Sequence, residues 1–215
     1  ELKANAKQSL KFSTFGVPGT NSATVEFSTL PPMDFTRRLQ YLIRYPHGCL
    51  EQTTSGVFPQ LFLADIFDLT PQKKKEVQSN IENGIKRLGH FQQPSGGMSY
   101  WIGENSANDW STSYAGHFMI EAEKKGFVLP LTFKSNWIAY QKQAASNWKP
   151  SYRVYHTDLA QAYRLYTLAL AGSADLASMN RLREFDEISN EAKWRLAAAY
   201  ALAGQKEARL SIARQ

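Results

Sequence analysis

The sequence predicts a mainly α fold with a short β segment at its N-terminal end, and three observations carry the prediction. Residues 1–32 hold short runs of β-branched and aromatic residues with Gly, Pro and Asn between them. From Pro31 onward, apolar residues recur at helical spacing. Thr-Pro, Gly and Pro signals cut that spacing into helix-sized pieces.

In the first region, Leu10–Phe15 and Ala23–Leu30 read as strands, the second with Thr24, Glu26 and Ser28 alternating with Val25, Phe27 and Thr29. Gly16, Pro18, Gly19 and Asn21 form the turn between them. A lone hairpin is marginal in water, so these strands are expected to complete a sheet supplied by a longer protein. The chain does not begin with Met, and its first residues show neither a basic start nor an apolar stretch of an export signal.

The helical part, residues 33–215, begins with Phe35, Leu39, Leu42 and Ile43 on one stripe, stopped before Pro46. Phe58, Leu61, Phe62, Ile66 and Leu69 form the next stripe. Thr70-Pro71 supplies an N-cap and a first-turn proline for a helix carrying Val77, Ile81, Ile85 and Leu88. A loop over Gln92–Asn108 contains Pro94-Ser95-Gly96-Gly97 and Gly103. Beyond it, Trp110–Tyr114–Phe118–Ala122, Trp137–Tyr140–Ala144 and Leu159–Tyr163–Tyr166–Leu170 mark three helices. Leu176–Glu184 and Glu191–Ala203 mark two more, the last closed by Gly204, with a short helix after Gln205. Periodicity leaves a bundle, a solenoid and a closed ring of helical hairpins all open.

With 43% hydrophobic and 20% charged residues the chain can build a core and is not a disordered composition. The net charge of +6 has one dense cluster, Lys73-Lys74-Lys75, best read as a solvated helix face; no nucleic-acid-binding motif accompanies it. One cysteine excludes an internal disulfide. It also raises the question of what a single thiol is for, since a lone cysteine is usually a small buried hydrophobe.

That thiol lies in Tyr45-Pro46-His47-Gly48-Cys49-Leu50-Glu51-Gln52-Thr53. Cys49 follows a Pro-x-Gly turn and precedes a helix, where free N–H groups favour the thiolate. Gln52 is three residues on and faces the same way on a helical turn. Attack of the thiolate on the Gln52 carboxamide, with loss of ammonia, would give an intramolecular thioester, helped by proximity. Gly48 would let the backbone fold tightly there. A bare C-x-x-Q occurs by chance far more often than such a bond does, so the weight falls on the whole string.

The nine-residue string resembles the thioester signature of the alpha-2-macroglobulin family, most closely its bacterial members. Gly96-Gly97-Met98-Ser99-Tyr100-Trp101, Asp109-Trp110-Ser111-Thr112-Ser113-Tyr114, Ala162-Tyr163 through Gly172, Leu182-Arg183-Glu184 and Leu196–Gly204 are also similar to that family. The resemblance runs from about Pro31 to the end. It implies an α/α toroid, expected here to lack its closing helices, with residues 1–32 belonging to a flanking β-domain. It implies the thioester-bearing module of a broad-spectrum endopeptidase inhibitor, a single-use covalent trap and not a turnover enzyme. A lysine amine of a protease or other target would attack the Gln52 carbonyl and Cys49 would leave. No cofactor or metal is expected beyond the internal Cys–Gln bond. The expected partners are captured proteins and other domains of the same chain, with no nucleic acid, and with a membrane only through an anchor elsewhere. The expected place is the periplasm or cell surface.

Tyr45 is expected to shield the bond, its alternative being a helix-end core aromatic. Glu51 is expected to add local polarity or to stand as a solvated carboxylate. His156 is a candidate acyl carrier, since imidazole is nucleophilic and neutral near pH 7, though a histidine at a helix start is more often structural. His47 is a candidate for tuning the thiol. Two other classes compete: an α/α-toroid enzyme, cysteine-dependent or glycosidase-like, and a non-covalent helical scaffold. Neither a paired-carboxylate pattern nor a zinc-site cluster supports the enzymatic reading.

Overall fold

The computed structural model describes residues 7–9, 11, 13, 16–17, 19–21, 41–150 and 157–213. The chain divides into two compact units, Glu1–Phe35 and Thr36–Gln215. In the first, the backbone N–H and the hydroxyl of Thr20 both donate to the Val17 carbonyl, at 3.2 and 2.7 Å. Gly19 between them has φ +89°, the conformation that a turn with glycine at its third position requires. The strands expected on either side, and the stripe from Phe35 to Leu39, lie largely outside the described residues.

In the second unit, α1 spans Leu50–Val57 and leads through a 3-10 turn over Pro59–Phe62 into a single turn, α2, Leu63–Ile66. It continues with α3 Pro71–Gly89, α4 Asp109–Lys124, α5 Phe133–Asn147, α6 Thr157–Leu170, α7 Leu176–Arg183, α8 Asn190–Leu202 and α9 Lys206–Ala213. The stripe from Phe58 to Leu69 is therefore not one helix. Pro59 opens a 3-10 turn at its first position, the backbone departs from helical geometry at Phe62 (φ −115°, ψ −1°), and after Ile66 it extends at Phe67 (φ −132°, ψ 143°).

The remaining boundaries follow local chemistry. Thr70 Oγ1 accepts the Lys73 N–H at 3.3 Å, with Pro71 at the first helical position of α3. The Asn108 side chain caps α4 through the Ser111 N–H at 2.9 Å. Ser189 caps α8 through the Ala192 N–H at 3.3 Å, while the Ser189 N–H itself donates to Asp158 on α6 at 2.7 Å.

Helix packs on helix throughout: α1 against α3 and α4, α4 against α6, and α6 against α8, which in turn carries α9. The core between them holds Leu50, Val57, Ile81, Leu88, Phe118, Met119, Trp137, Leu165, Leu168 and Leu196, all nearly inaccessible. Burying side chains of this size contributes roughly 1.5–3 kcal/mol each. Two features of this core place the C-terminal end of α1. Gly84 lets α3 approach so closely that a Cβ there would lie 2.7 Å from Val57 Cγ1. The buried Gln60 amide donates to the Gly56 and Arg44 carbonyls at 2.8 and 2.9 Å and accepts from Asn80 of α3 at 3.1 Å. Buried polar groups are tolerated because they are satisfied in this way.

The loop between α3 and α4 is pinned along its length. Met98 is fully buried, its N–H donates to Thr112 Oγ1 at 3.0 Å, and its carbonyl accepts the Asn108 N–H at 2.8 Å. Antiparallel bridges pair Gln92 with Met98 and Ser99 with Ala107. This fixes where Tyr100 emerges, beside the start of α1.

Candidate functional site

Cys49 is the N-cap of α1, in extended conformation at φ −71° and ψ 176°, and its side chain is 2% exposed. Gln52 occupies the third position of the helix. Its side chain folds back so that Oε1 accepts the Cys49 N–H at 3.2 Å, and its own N–H is directed at the Cys49 side chain. This is the reciprocal arrangement of a capping box, with a thiol standing where serine or threonine usually stands. The i, i+3 relation read from the sequence thus brings the Gln52 carboxamide back over residue 49.

Gly48 makes that fold possible on two counts. It has φ +90°, which side-chain-bearing residues rarely adopt. A Cβ at this position would lie 2.2 Å from Gln52 Oε1 and 3.1 Å from the carboxamide carbon. The carboxamide therefore fills the space that the missing side chain leaves.

The turn is held from two sides by residues that periodicity and local spacing do not single out. From α3, Arg87 Nη2 donates to the Gly48 carbonyl at 2.8 Å and Nε donates to Thr53 Oγ1 at 3.2 Å, with the guanidinium 5.7 Å above the Phe91 ring. The Thr53 hydroxyl also lies 3.4 Å from the carbonyls of His47 and Gly48. From the glycine-rich loop, the Tyr100 carbonyl accepts the Leu50 N–H at 3.0 Å. The Tyr100 phenol is pushed up to about 12, first by its hydrogen bond with Cys49, then by charge on that sulfur, by burial and by the Glu51 carboxylate. The signal that pointed toward Tyr100 was the Gly96–Trp101 string; Arg87 had none beyond its place in the last turn of a helix.

The sulfur and the carboxamide face different surroundings. Cys49 is buried, whereas Gln52 is exposed on a cleft of about 440 Å³ whose walls include Tyr45, His47, Glu51, Ser55 and Tyr100. Tyr45, expected as a shield, stands in the wall of this cleft with 62% of its surface open. Glu51 and His47 are exposed along it. His156 lies outside the described residues. Among the described residues no group of three or more His, Cys, Asp or Glu side chains could hold a metal ion, and no helix is long and apolar enough to cross a membrane.

A second, aromatic cavity of about 530 Å³ adjoins α1 through Ser55, whose hydroxyl lies 3.3 Å from the Tyr114 hydroxyl. Phe58, His117, Tyr163 and Tyr166 line it, with Arg195 4.4 Å from the Tyr163 ring centroid. His117 Nδ1 lies 3.0 Å from the Tyr163 hydroxyl, and the Phe58 ring meets the imidazole edge-on at 5.0 Å. Burial holds this histidine down to about 4; Glu121 opposes the shift, and Lys124 and Arg195 add to it.

Residues 23–208 match the family model described as "A-macroglobulin TED domain". The chain is 30% identical over 117 residues to the alpha-2-macroglobulin of Escherichia coli strain K12, and 32% identical over 120 residues to that of Xylella fastidiosa strain Temecula1. Each alignment covers 53% of this chain and 7% of the relative. Among solved structures, a Salmonella alpha-2-macroglobulin reacted with methylamine superposes with a TM-score of 0.71 at 26% identity, over 85% of this chain and 13% of that one. A native Escherichia coli alpha-2-macroglobulin fragment from domain MG7 to the C-terminus gives a TM-score of 0.68 at 25% identity, over 85% and 30%. The chain thus spans less than a tenth of the length of the curated relatives it matches, and its helices follow the α/α toroid of those proteins.

Proposed function

The chain belongs to the A-macroglobulin TED domain family, and on that premise we propose that it is the thioester-bearing module of a bacterial protease inhibitor that captures its targets by acyl transfer from Gln52. The observation that carries this reading is the carboxamide folded back onto Cys49 within the first turn of α1, over a glycine whose side chain would displace it.

The chemistry has two stages. In the first, the Cys49 thiolate adds to the Gln52 carboxamide carbon; the C–N bond breaks, ammonia departs, and a thioester joins the two side chains. Held reactants gain an effective concentration that a free amide and thiol lack. The turn supplies the holding: Gly48 admits the carboxamide, and Arg87 and Thr53 fix the backbone that carries the sulfur. In the second stage, a lysine amine of the target adds to the same carbon. The C–S bond breaks, sulfur takes the electron pair, and the proton lost by the amine restores the thiol. The target is left amide-linked to residue 52.

The burial pattern suits this division of labour. The leaving sulfur is enclosed, and the carbon to be attacked opens on a cleft wide enough for a lysine side chain. The bond is spent once, so the module is a trap and not a turnover enzyme. Tyr45, His47 and Glu51 form the polar and aromatic mouth that an incoming amine would pass. No cofactor enters the scheme. The targets are attacking proteases, the other partners are further domains of the same chain, and the place of action is outside the cytoplasm, as a bacterial defence in the periplasm or at the surface. Reaction of the Salmonella relative with methylamine fits the same chemistry, a small amine standing in for lysine.

Intact-mass measurement of the full-length protein tests the reading. The native protein is expected one ammonia lighter than its sequence, with Cys49 resistant to alkylation. Methylamine should add to residue 52 and expose the thiol together, and Gln52→Ala should abolish both effects. A native protein of full sequence mass with a freely alkylated Cys49 would refute it.

A further inference from the structure

Resting on the thioester reading above, we propose that the aromatic cavity beside α1 is a specificity subsite for capture, taking an aromatic side chain, flanked by a carboxylate, that lies two residues from the lysine being captured. Continuity with the cleft places it there. Gln52, Ser55 and Phe58 follow at three-residue steps along α1 and its C-cap, so each packs beside the next. Gln52 and Ser55 open on the cleft, and Phe58 opens on the cavity. Between them the Ser55 hydroxyl lies 3.3 Å from the hydroxyl of Tyr114, which is cavity wall. At a rise of about 1.5 Å per residue, the cavity begins about 9 Å along the helix from Gln52. Its mouth is at the same end as Cys49. Ser55 meets Tyr114 and Phe58 meets His117, so α1 and α4 run the same way. Trp110 meets Tyr163 and His117 meets Tyr166, so α6 runs with them. Trp110, in the first turn of α4, is 37% exposed and carries Arg195 of α8 over its ring at 5.5 Å.

The lining sets the chemistry of the occupant. A volume of about 530 Å³ lies in the range of pockets that enclose small ligands. Its rings offer the edge-to-face packing that an incoming ring prefers, as Phe58 and His117 already show at 88°. Arg195 is the one formal charge of the wall, since burial keeps His117 neutral. The guanidinium rests on the Trp110 and Tyr163 rings, and among the described residues no carboxylate forms an ion pair with it. A planar cation held in this way at the mouth suits a carboxylate and repels a second cation. In an extended target segment, side chains two residues apart point the same way and stand about 7 Å apart. A lysine that reaches Gln52 therefore sets the ring two residues on over the cavity. The covalent step is unchanged. The lysine nitrogen bonds to the Gln52 carbonyl carbon, the C–S bond breaks, and sulfur takes the electron pair and the proton the amine loses. The subsite acts by holding the amine near that carbon.

The experiment uses the full-length protein and an end-capped peptide, Glu-Phe-Gly-Lys-Gly-Phe-Glu, whose symmetry makes chain direction immaterial. A second peptide has glycine for both phenylalanines, and a third has glutamine for both glutamates. Addition at residue 52 is followed by intact mass, with methylamine as the reference amine. The first peptide is expected to add about 10-fold faster than the glycine peptide, the low end of what burying one phenyl ring supplies. It should add about 3-fold faster than the glutamine peptide, the share of a partly exposed ion pair. Arg195→Gln should erase the second difference. Ala198→Leu, which narrows the cavity, should reduce the first. Ratios are compared within each variant, so a change in overall reactivity does not imitate either result. A native protein that adds the phenylalanine and glycine peptides at one rate, or methylamine and neither peptide, overturns the subsite and leaves the thioester reading intact. Differences that survive undiminished in the variants also overturn it. Should one variant fail to fold, the other decides together with the native ratios. Absence of every adduct, methylamine included, overturns both readings.

Discussion

His117 ties the stability of the helical unit to pH in a way that can be worked from its surroundings. The imidazole is packed against Phe58, Tyr163 and Tyr166, and desolvation holds its folded value near 4, against 6.5 when the group is free. The unfolded chain therefore binds a proton at this group over a range where the folded chain does not. Stability is full above about pH 7, falls as pH drops through 6.5, and levels off only below 4. Linkage over that window gives a loss of about 2 kcal/mol at pH 5 relative to pH 7, and about 3 kcal/mol at pH 4. Urea unfolding at pH 7, 6 and 5, followed by tryptophan fluorescence, measures it. His117→Gln removes the titration while keeping a polar group opposite the Tyr163 hydroxyl. The other histidines and the carboxylates are common to both proteins, so the difference between their pH slopes belongs to His117. Equal slopes, or a folded imidazole that titrates near 6.5 by NMR, would refute the reasoning.

Two further outcomes concern the turn itself. Gly48→Ala forces a side chain into φ +90° and into the space of Gln52 Oε1. It should cost roughly 1–3 kcal/mol in backbone strain, read by urea midpoint, and abolish methylamine uptake at residue 52. Arg87→Ala removes the donors to the Gly48 carbonyl and to Thr53. It should destabilise the unit by about 1.5–3 kcal/mol and lower the fraction of freshly purified protein carrying an alkylation-resistant Cys49, with Arg87→Lys intermediate in both measurements.

How much of this was legible in the sequence depends on how local each feature is. Cys49, Gln52 and Gly48 act through one helical turn, and a nine-residue string is long enough to state that geometry. The start of α3 was legible for the same reason, because Thr70 and Pro71 cap and open it without help from elsewhere. Phe58–Leu69 misled because its apolar spacing satisfies a helix, while the backbone departs from helical geometry at Phe62 and extends at Phe67 with no proline or glycine there to announce it. Arg87 and Tyr100 were not legible as parts of the turn. They reach it from 34 and 50 residues beyond Thr53 and Leu50, through packing of α3 and of a pinned loop. Even Gly84, which sets how closely α3 approaches α1, reads from the sequence only as a flaw in a good helix.

These distant residues resolve a conflict that the short string poses but cannot settle. A cysteine and a glutamine three apart on an exposed helix would meet only transiently, and any thioester between them would stand in water. A pair buried altogether could not be reached by a protein amine. Here the conflict is met by asymmetry within a single turn. Leu50 draws the helix start into the core and takes the sulfur with it, while the carboxamide, folded over Gly48, keeps its face on the cleft. Left to itself such a helix start would fray, because its first N–H groups have no partner within the helix. Arg87 counters this by binding the Gly48 carbonyl, and Tyr100 by bonding the Leu50 N–H. On the proposed chemistry, the Cys49–Gln52 pair is the meeting point of three segments, α1, the end of α3 and the glycine-rich loop. Loosening either clamp should harm the bond before it harms the fold.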